Sequence, residues 1–346
     1  MRVLVTGSDG YIGAVLGPML REHGHDVAGI DCGFYRESRL FDDRRPPIPT
    51  LSKDIRRITP ADVAGFAAVV HLAELSNDPL GELEPRVTLA INHGGSLTLA
   101  RACRAAGVSR FVYASSCSVY GAADGGAACD ERSEPKPQTA YARCKVLVER
   151  DVGALADGSF SPVFLRNATA FGSSPRMRFD IVLNNLAGLA WTTRQIRMTS
   201  DGTPWRPLVH VDDICEAIRL ALEAPRESIH NETLNVGDDA QNYRIAEIAG
   251  IVAAVFEGCV VTRGPPGGDN RSYRVSFGKI GHHLPAFRCR WGAERGARQL
   301  HDLFRRVRLT DELFAFRGFT RLEQIRHLVA TGRIDADFHW RPPSVE

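Results

Sequence analysis

Residues 2–31 place the tightest constraint on what this chain can become. Arg2-Val3-Leu4-Val5-Thr6 is short, mostly apolar and β-prone, and it runs straight into Gly7-Ser8-Asp9-Gly10-Tyr11-Ile12-Gly13. An apolar, helix-compatible stretch follows to about Leu20, then a turn at Glu22-His23-Gly24-His25. A second strand, Asp26 to Ile30, ends at Asp31. Strand, glycine turn, helix, strand and acid, in that order, form the nucleotide-binding half of a Rossmann fold. Gly7 permits the tight turn, Gly10 lets the backbone approach a pyrophosphate, and Gly13 lets the helix pack close to the sheet. The free N–H groups and positive dipole end at the helix start favour phosphate there. Asp31 stands where a carboxylate accepts hydrogen bonds from an adenosine ribose and repels a 2′-phosphate, which favours NAD over NADP.

A length of 346 residues suits one large domain or two closely joined ones, and an apolar fraction of 44% can build a substantial core. Lys plus Arg number 43 against 41 Asp plus Glu, a net charge of +2, and no long charge run occurs. Neither nucleic acid nor an acidic membrane is therefore an expected partner. The eight cysteines are scattered without a CxxC pair, as in a reduced, intracellular chain with no structural zinc. A strand begins almost at the first residue and no apolar run reaches membrane-spanning length, so the cytoplasm is the expected location.

The alternation continues. Ala68 to Ala73 reads as a buried strand, and a helix begins near Val87, carries Asn92 and ends at Gly107. The strand Arg110 to Ala114 runs into Ser115-Ser116-Cys117-Ser118-Val119-Tyr120-Gly121. A helix from about Thr139 to Leu155 holds Tyr141, Cys144 and Lys145, and the strand Ser161 to Arg166 enters Asn167-Ala168-Thr169. This predicts an α/β chain: a Rossmann-type parallel sheet with helices on both faces over residues 1–172. Residues 173–346 are expected to form mainly a smaller lobe at the carboxyl edge, with some segments returning to the sheet. Their last hundred or so residues predict two more helices, about Ile245 to Val255 and Gly292 to Val307. Gly7, Asp31, Ala73 and Ser116 all fall at carboxyl ends of strands, where such sheets bind ligands.

Tyr141 and Lys145, four apart on one helix, share a face. A lysine ammonium beside a phenol favours phenolate, which a tyrosine titrating near ~10 needs to act as a base near neutrality. Lys145 is also placed to reach a nicotinamide ribose. Ser116, at a strand end, is placed to hydrogen-bond the reacting oxygen.

With these residues the chain resembles the extended short-chain dehydrogenases/reductases, in particular their nucleotide-sugar epimerase and dehydratase group. The resemblance covers nearly the whole chain. It runs through the Gly7–Gly13 turn with Tyr11 and Ile12, Asp54-Ile55, His71-Leu72-Ala73, Asn92, Ser115-Ser116, Val119-Tyr120-Gly121, and Tyr141 with Lys145. Trp205-Arg206-Pro207, His210-Val211-Asp212-Asp213 and Gly268-Asp269-Asn270-Arg271 resemble the family's substrate-lobe segments. It implies an NAD-dependent enzyme whose partner is a nucleotide-diphosphate sugar. Tyr141 is then the base, Ser116 shares its proton network, and Lys145 holds the ribose. Gly7, Gly10, Tyr11, Ile12, Gly13, Asp31, Asp54, Ile55, Leu72 and Ala73 bind the cofactor. Arg206 and Arg271 anchor the diphosphate, and Cys117, Ser118, Asn167, Asn184 and Asn185 are candidates for substrate contact. The implied reaction is epimerisation, most simply at carbon 4, through a keto sugar. A homodimer joined through the helices near 87–106 and 139–155 is a further implication.

Two departures matter. The dehydratases of the group carry an Asp-Glu pair after the catalytic hydroxyl, where this chain has Cys117-Ser118, and serine is no general base at neutral pH. That argues against 4,6-dehydration. Cys117 itself has two readings: a small buried residue at the nicotinamide face, or a reactive group for epimerisation at carbon 3 or 5. Thr169 stands where an asparagine is usual, so the sugar is expected to sit differently. A 4-ketoreductase or an oxidase of the same sugar would use the same residues. A non-catalytic NAD sensor would be expected to lack Tyr141, Lys145 or Ser116.

Overall fold

In a computed structural model of the chain, residues 1–122, 127–266 and 271–342 are described. The strands are β1 (Arg2–Thr6), β2 (Asp26–Asp31), β3 (Thr50–Ser52), β4 (Ala68–His71), β5 (Arg110–Ser116), β6 (Ser161–Asn167), β7 (Thr169–Phe171), β8 (Gln195–Arg197), β9 (Trp205–His210), β10 (Glu232–Val236), β11 (Asn242–Arg244) and β12 (Val260–Thr262). Seven form one sheet in the order β3-β2-β1-β4-β5-β6-β10. Every pairing in it is parallel, from Arg2 opposite Asp26 to Ser116 opposite Asn167. Strands covered on both faces must be apolar throughout. Val3, Val5, Val69, Val70, Phe111 and Val112 are accordingly fully buried. The chain order reverses between β1 and β4, which opens a crevice at their carboxyl ends. β10 brings a segment of the second half back into this sheet. The smaller sheets β11-β9-β7 and β12-β8 lie beyond it.

Two helices differ from the periodicity alone. The helix expected from Val87 forms as Pro85–Thr88, a π-helical stretch Leu89–Gly95, and Ser96–Ala105. The widened turn carries Asn92, whose amide brackets Leu75, accepting from its N–H at 2.8 Å and donating to its carbonyl at 3.0 Å. That fixes the loop leaving β4. A C-terminal helix, Arg321–Ala330, goes beyond the sequence expectation. It docks on the cofactor side of the main sheet, where Ile325, Leu328, Ile334 and Phe338 share a core with Leu4, Ile30 and Ile55.

Candidate active site

The glycine turn forms because only small residues fit it. Gly7 has φ +73°, and a Cβ there would meet the Ala73 backbone nitrogen at 2.8 Å. A Cβ on Gly13 would meet the Gly7 carbonyl oxygen at 2.3 Å, so the helix Gly13–Glu22 packs on the turn only as glycine. Asp31 accepts from the N–H of Gly33 at 2.7 Å and of Asp9 at 3.1 Å, which fixes its carboxylate across the turn. Burial pushes its carboxyl up. Gly7, Gly10, Tyr11, Ile12, Gly13, Asp31, Asp54, Ile55, Leu72 and Ala73 line one cavity of about 910 Å³. The residues fit a dinucleotide: a backbone cradle, a ribose-side carboxylate, and an apolar wall at Ile55 and Ile91.

A second cleft, of about 1810 Å³, adjoins the first through shared walls at Ile12, Leu72, Glu74, Ser76, Ala170 and Arg178. Ser116, Ser118, Tyr141, Lys145, Asn167, Asn185, Arg206 and Arg271 line it. The helix Ala140–Gly153 delivers Tyr141 and Lys145, and the Thr139 hydroxyl caps it by accepting from Ala142 N–H at 3.2 Å. Lys145 Nζ lies 5.3 Å from the centre of the Tyr141 ring and 4.5 Å from that of Tyr113. It donates to the Ala114 carbonyl at 2.5 Å.

The structure adds a residue that sequence reading passed over. Glu74, two positions beyond Leu72, is buried with Oε2 2.6 Å from Lys145 Nζ, and Tyr113 donates its hydroxyl to Oε1 at 2.5 Å. A carboxylate just past the end of a sheet strand was the available signal. Burial drives the Lys145 pKa down, but Glu74 and the Tyr141 phenol outweigh it and the net direction is up. The Tyr141 phenol itself is raised, by burial first. Lys145 pulls it down, Glu74 and Asp78 push it up, and a hydrogen bond with Ser116 lowers it. The ammonium therefore does not act on the phenol alone, as the Tyr-Lys spacing suggested; a carboxylate opposes it.

At the sugar end, Ser118 Oγ and Asn167 Oδ1 are buried and have no partner. Such orphaned groups suit a hydroxyl-rich ligand. Arg206 is buried over the Tyr273 ring at 5.6 Å and donates to the carbonyls of Trp205, at 2.7 Å, and Arg271. Arg271 pairs with Asp78. Gly268, Asp269 and Asn270, which precede it, lie outside the described residues.

Two expected substrate contacts are not brought to the cleft. Cys117 is buried, donates its thiol to the Arg166 carbonyl at 3.1 Å, and has its pKa driven well up by burial. Burial of this kind disfavours the thiolate. Asn184 is buried too. It accepts from Gly172 N–H at 2.9 Å and donates to the Arg178 carbonyl at 3.1 Å, so it ties the chain after β7 together. Asn185 reaches the cleft wall while donating to the Phe179 carbonyl at 2.9 Å. Among the described residues no group of three His, Cys, Asp or Glu could hold a metal, and no helix is long and apolar enough to cross a membrane.

Known proteins resemble this chain in sequence and fold. A UDP-glucose 4-epimerase of Rhizobium leguminosarum bv. trifolii is 30% identical over 261 residues, 68% of this chain and 76% of that protein. The crystal structure of the Thermus thermophilus UDP-glucose 4-epimerase complex with NAD superposes with a TM-score of 0.73 at 26% identity, covering 88% of this chain and 99% of that one. MoeE5 in complex with UDP-glucose and NAD gives 0.76 at 29% identity, covering 89% and 100%. The model of the NAD dependent epimerase/dehydratase family matches residues 3–237, from β1 to the end of β10 and one residue beyond. The cofactor is NAD. On that match, and on the sheet, turn and helix that carry it, the chain belongs to the NAD dependent epimerase/dehydratase family.

Proposed function

We propose that this protein epimerises a nucleotide-diphosphate sugar at carbon 4. The observation that carries the reading is the sharing of one cleft by Tyr141, Ser116 and Lys145 with Arg206 and Arg271, where it meets the NAD cavity. When bound, NAD supplies hydride acceptance and return at the sugar carbon. The chain's own part is to take one proton from the sugar hydroxyl, give one back, and hold the diphosphate while the sugar turns. Tyr141 is the base, Ser116 completes the proton path, and Lys145 and Glu74 set the charge beside them. Ser118 Oγ and Asn167 Oδ1 are placed to meet sugar hydroxyls.

Two of the three proteins named above are UDP-glucose 4-epimerases and the third is a complex with UDP-glucose, which supports the carbon-4 reading and a uridine nucleotide. Ser118 in place of a carboxylate speaks against 4,6-dehydration, and the turned-in thiol of Cys117 speaks against enolisation at carbon 3 or 5. Incubation with a panel of nucleotide sugars in deuterated water tests the proposal. Inversion at carbon 4 without solvent label is expected. Label at carbon 3 or 5, or conversion only with added reduced cofactor, would replace it with another reaction.

Arg206→Ala is expected to weaken nucleotide-sugar binding about 10- to 100-fold, the size of a lost charge-assisted contact. Turnover at saturation should fall much less. Calorimetric titration with the nucleoside diphosphate measures this, and unchanged affinity would remove Arg206 from the diphosphate site.

A further inference from the structure

The C-terminal segment lies far from the glycine turn in sequence, yet it completes the wall of the NAD cavity. Arg321 and Arg178 both line that cavity beside Gly10, Tyr11 and Asp31. Both are almost wholly buried, 2% and 7% exposed. Arg321 lies over the Tyr35 ring at 3.9 Å, and its Nη1 has no partner. Arg178 donates through Nε to Asp180 at 2.7 Å, while its Nη2 has no partner. The Tyr35 hydroxyl is buried and unpartnered as well. Asp180 also accepts from the backbone N–H of Arg321 at 3.0 Å, so one carboxylate serves both arginine residues. The acids near these two buried guanidiniums, Asp180 and Asp31, leave Arg321 Nη1 and Arg178 Nη2 without an acceptor, and an anion in the cavity would supply one.

We propose that Arg321 and Arg178 form a cationic clamp on the diphosphate of the dinucleotide, which makes the C-terminal segment part of the cofactor site. A diphosphate offers the acceptor oxygens and charge that a pair of guanidinium forks lacks here. Arg321 lines only the cofactor cavity, whereas Arg178 lines both, so the dinucleotide and not the sugar nucleotide is the ligand assigned to Arg321. The neighbouring groups fit. Burial first, then the charge of Arg178, lower the Arg321 pKa to about 10, while Tyr35, Asp180 and Asp31 pull it up.

The segment is tied to the residues that follow β2. Gln324 donates to the Phe34 carbonyl at 3.0 Å, and Trp340 donates to the Cys32 carbonyl at 2.7 Å. Arg56, next to Asp54 and Ile55, donates to the Asp337 carbonyl at 2.6 Å and bonds His339 at 2.7 Å. A cofactor clamped this way leaves slowly. The clamp depends on NAD binding alone and stands whichever sugar reaction the enzyme performs.

Titrating the full-length protein with ADP, adenosine and UDP tests the clamp without turnover. Arg321→Met is expected to weaken ADP about 10- to 100-fold and to leave adenosine and UDP within about twofold. Arg321→Lys, which keeps the charge but loses the fork, should fall between the variant and the parent. Arg326→Ala, exposed on the same helix, should change none of the three. Equal losses for ADP and adenosine would show a merely structural role and overturn the proposal. So would unchanged ADP affinity, or a loss confined to UDP. If Arg321→Met does not fold, Arg321→Lys carries the test on the same three ligands.

Discussion

Changing Tyr141 to Phe is expected to lower turnover about 10³-fold and leave NAD bound, since a positioned general base contributes about 10²–10⁴. Only the phenol oxygen is removed. The ring keeps its place 5.3 Å from Lys145 Nζ. Turnover with a saturating nucleotide sugar, read beside the NAD content of the purified variant, separates catalysis from binding. Activity near the parent level would remove Tyr141 as the base.

The same phenol sets a pH dependence whose sign can be worked out. Burial first, then Glu74 and Asp78, hold the Tyr141 phenol up, while Lys145 and Ser116 pull it down. Activity that needs phenolate therefore rises with pH. Glu74→Gln removes one of the upward influences and keeps the side-chain volume, so the rising limb of kcat/KM should move to lower pH. A limb that stays put or moves to higher pH would exclude Glu74 from setting the base.

The second large effect is on stability. Lys145→Met should destabilise the fold by about 3–5 kcal/mol, because it strands the Glu74 carboxylate in the interior. The two side chains are 5% and 2% exposed and 2.6 Å apart, so solvent cannot take over the lost partner. Replacing both, as Glu74→Leu with Lys145→Met, should recover most of that loss, since a buried pair exchanged for apolar groups is often neutral. Urea denaturation of the two single variants and the double variant forms the cycle. Additive losses would mean that the pair is not coupled.

How much of this was legible beforehand varies by residue. Gly7, Gly13 and Asp31 act within one βαβ unit, through local turn geometry and spacing, so they could be read from thirty residues. Tyr141 and Lys145 could be paired because helical spacing alone puts them on one face. Cys117 and Asn184 could not be placed that way. Position in a motif does not say which way a side chain turns, and packing turned one toward the Arg166 carbonyl and folded the other into the core behind Gly172.

The parallel sheet, the dinucleotide turn and the Tyr–Lys helix are written into the order of residues, because each follows from periodicities and steric rules that operate over a few neighbours. Folding, by contrast, set Glu74 against Lys145 beside Tyr141 and brought Arg321 into the wall of the same cavity as Arg178. Those charges come from separate parts of the chain, and their meaning lies in burial and in distances of a few ångströms. Neither exists until the chain has folded.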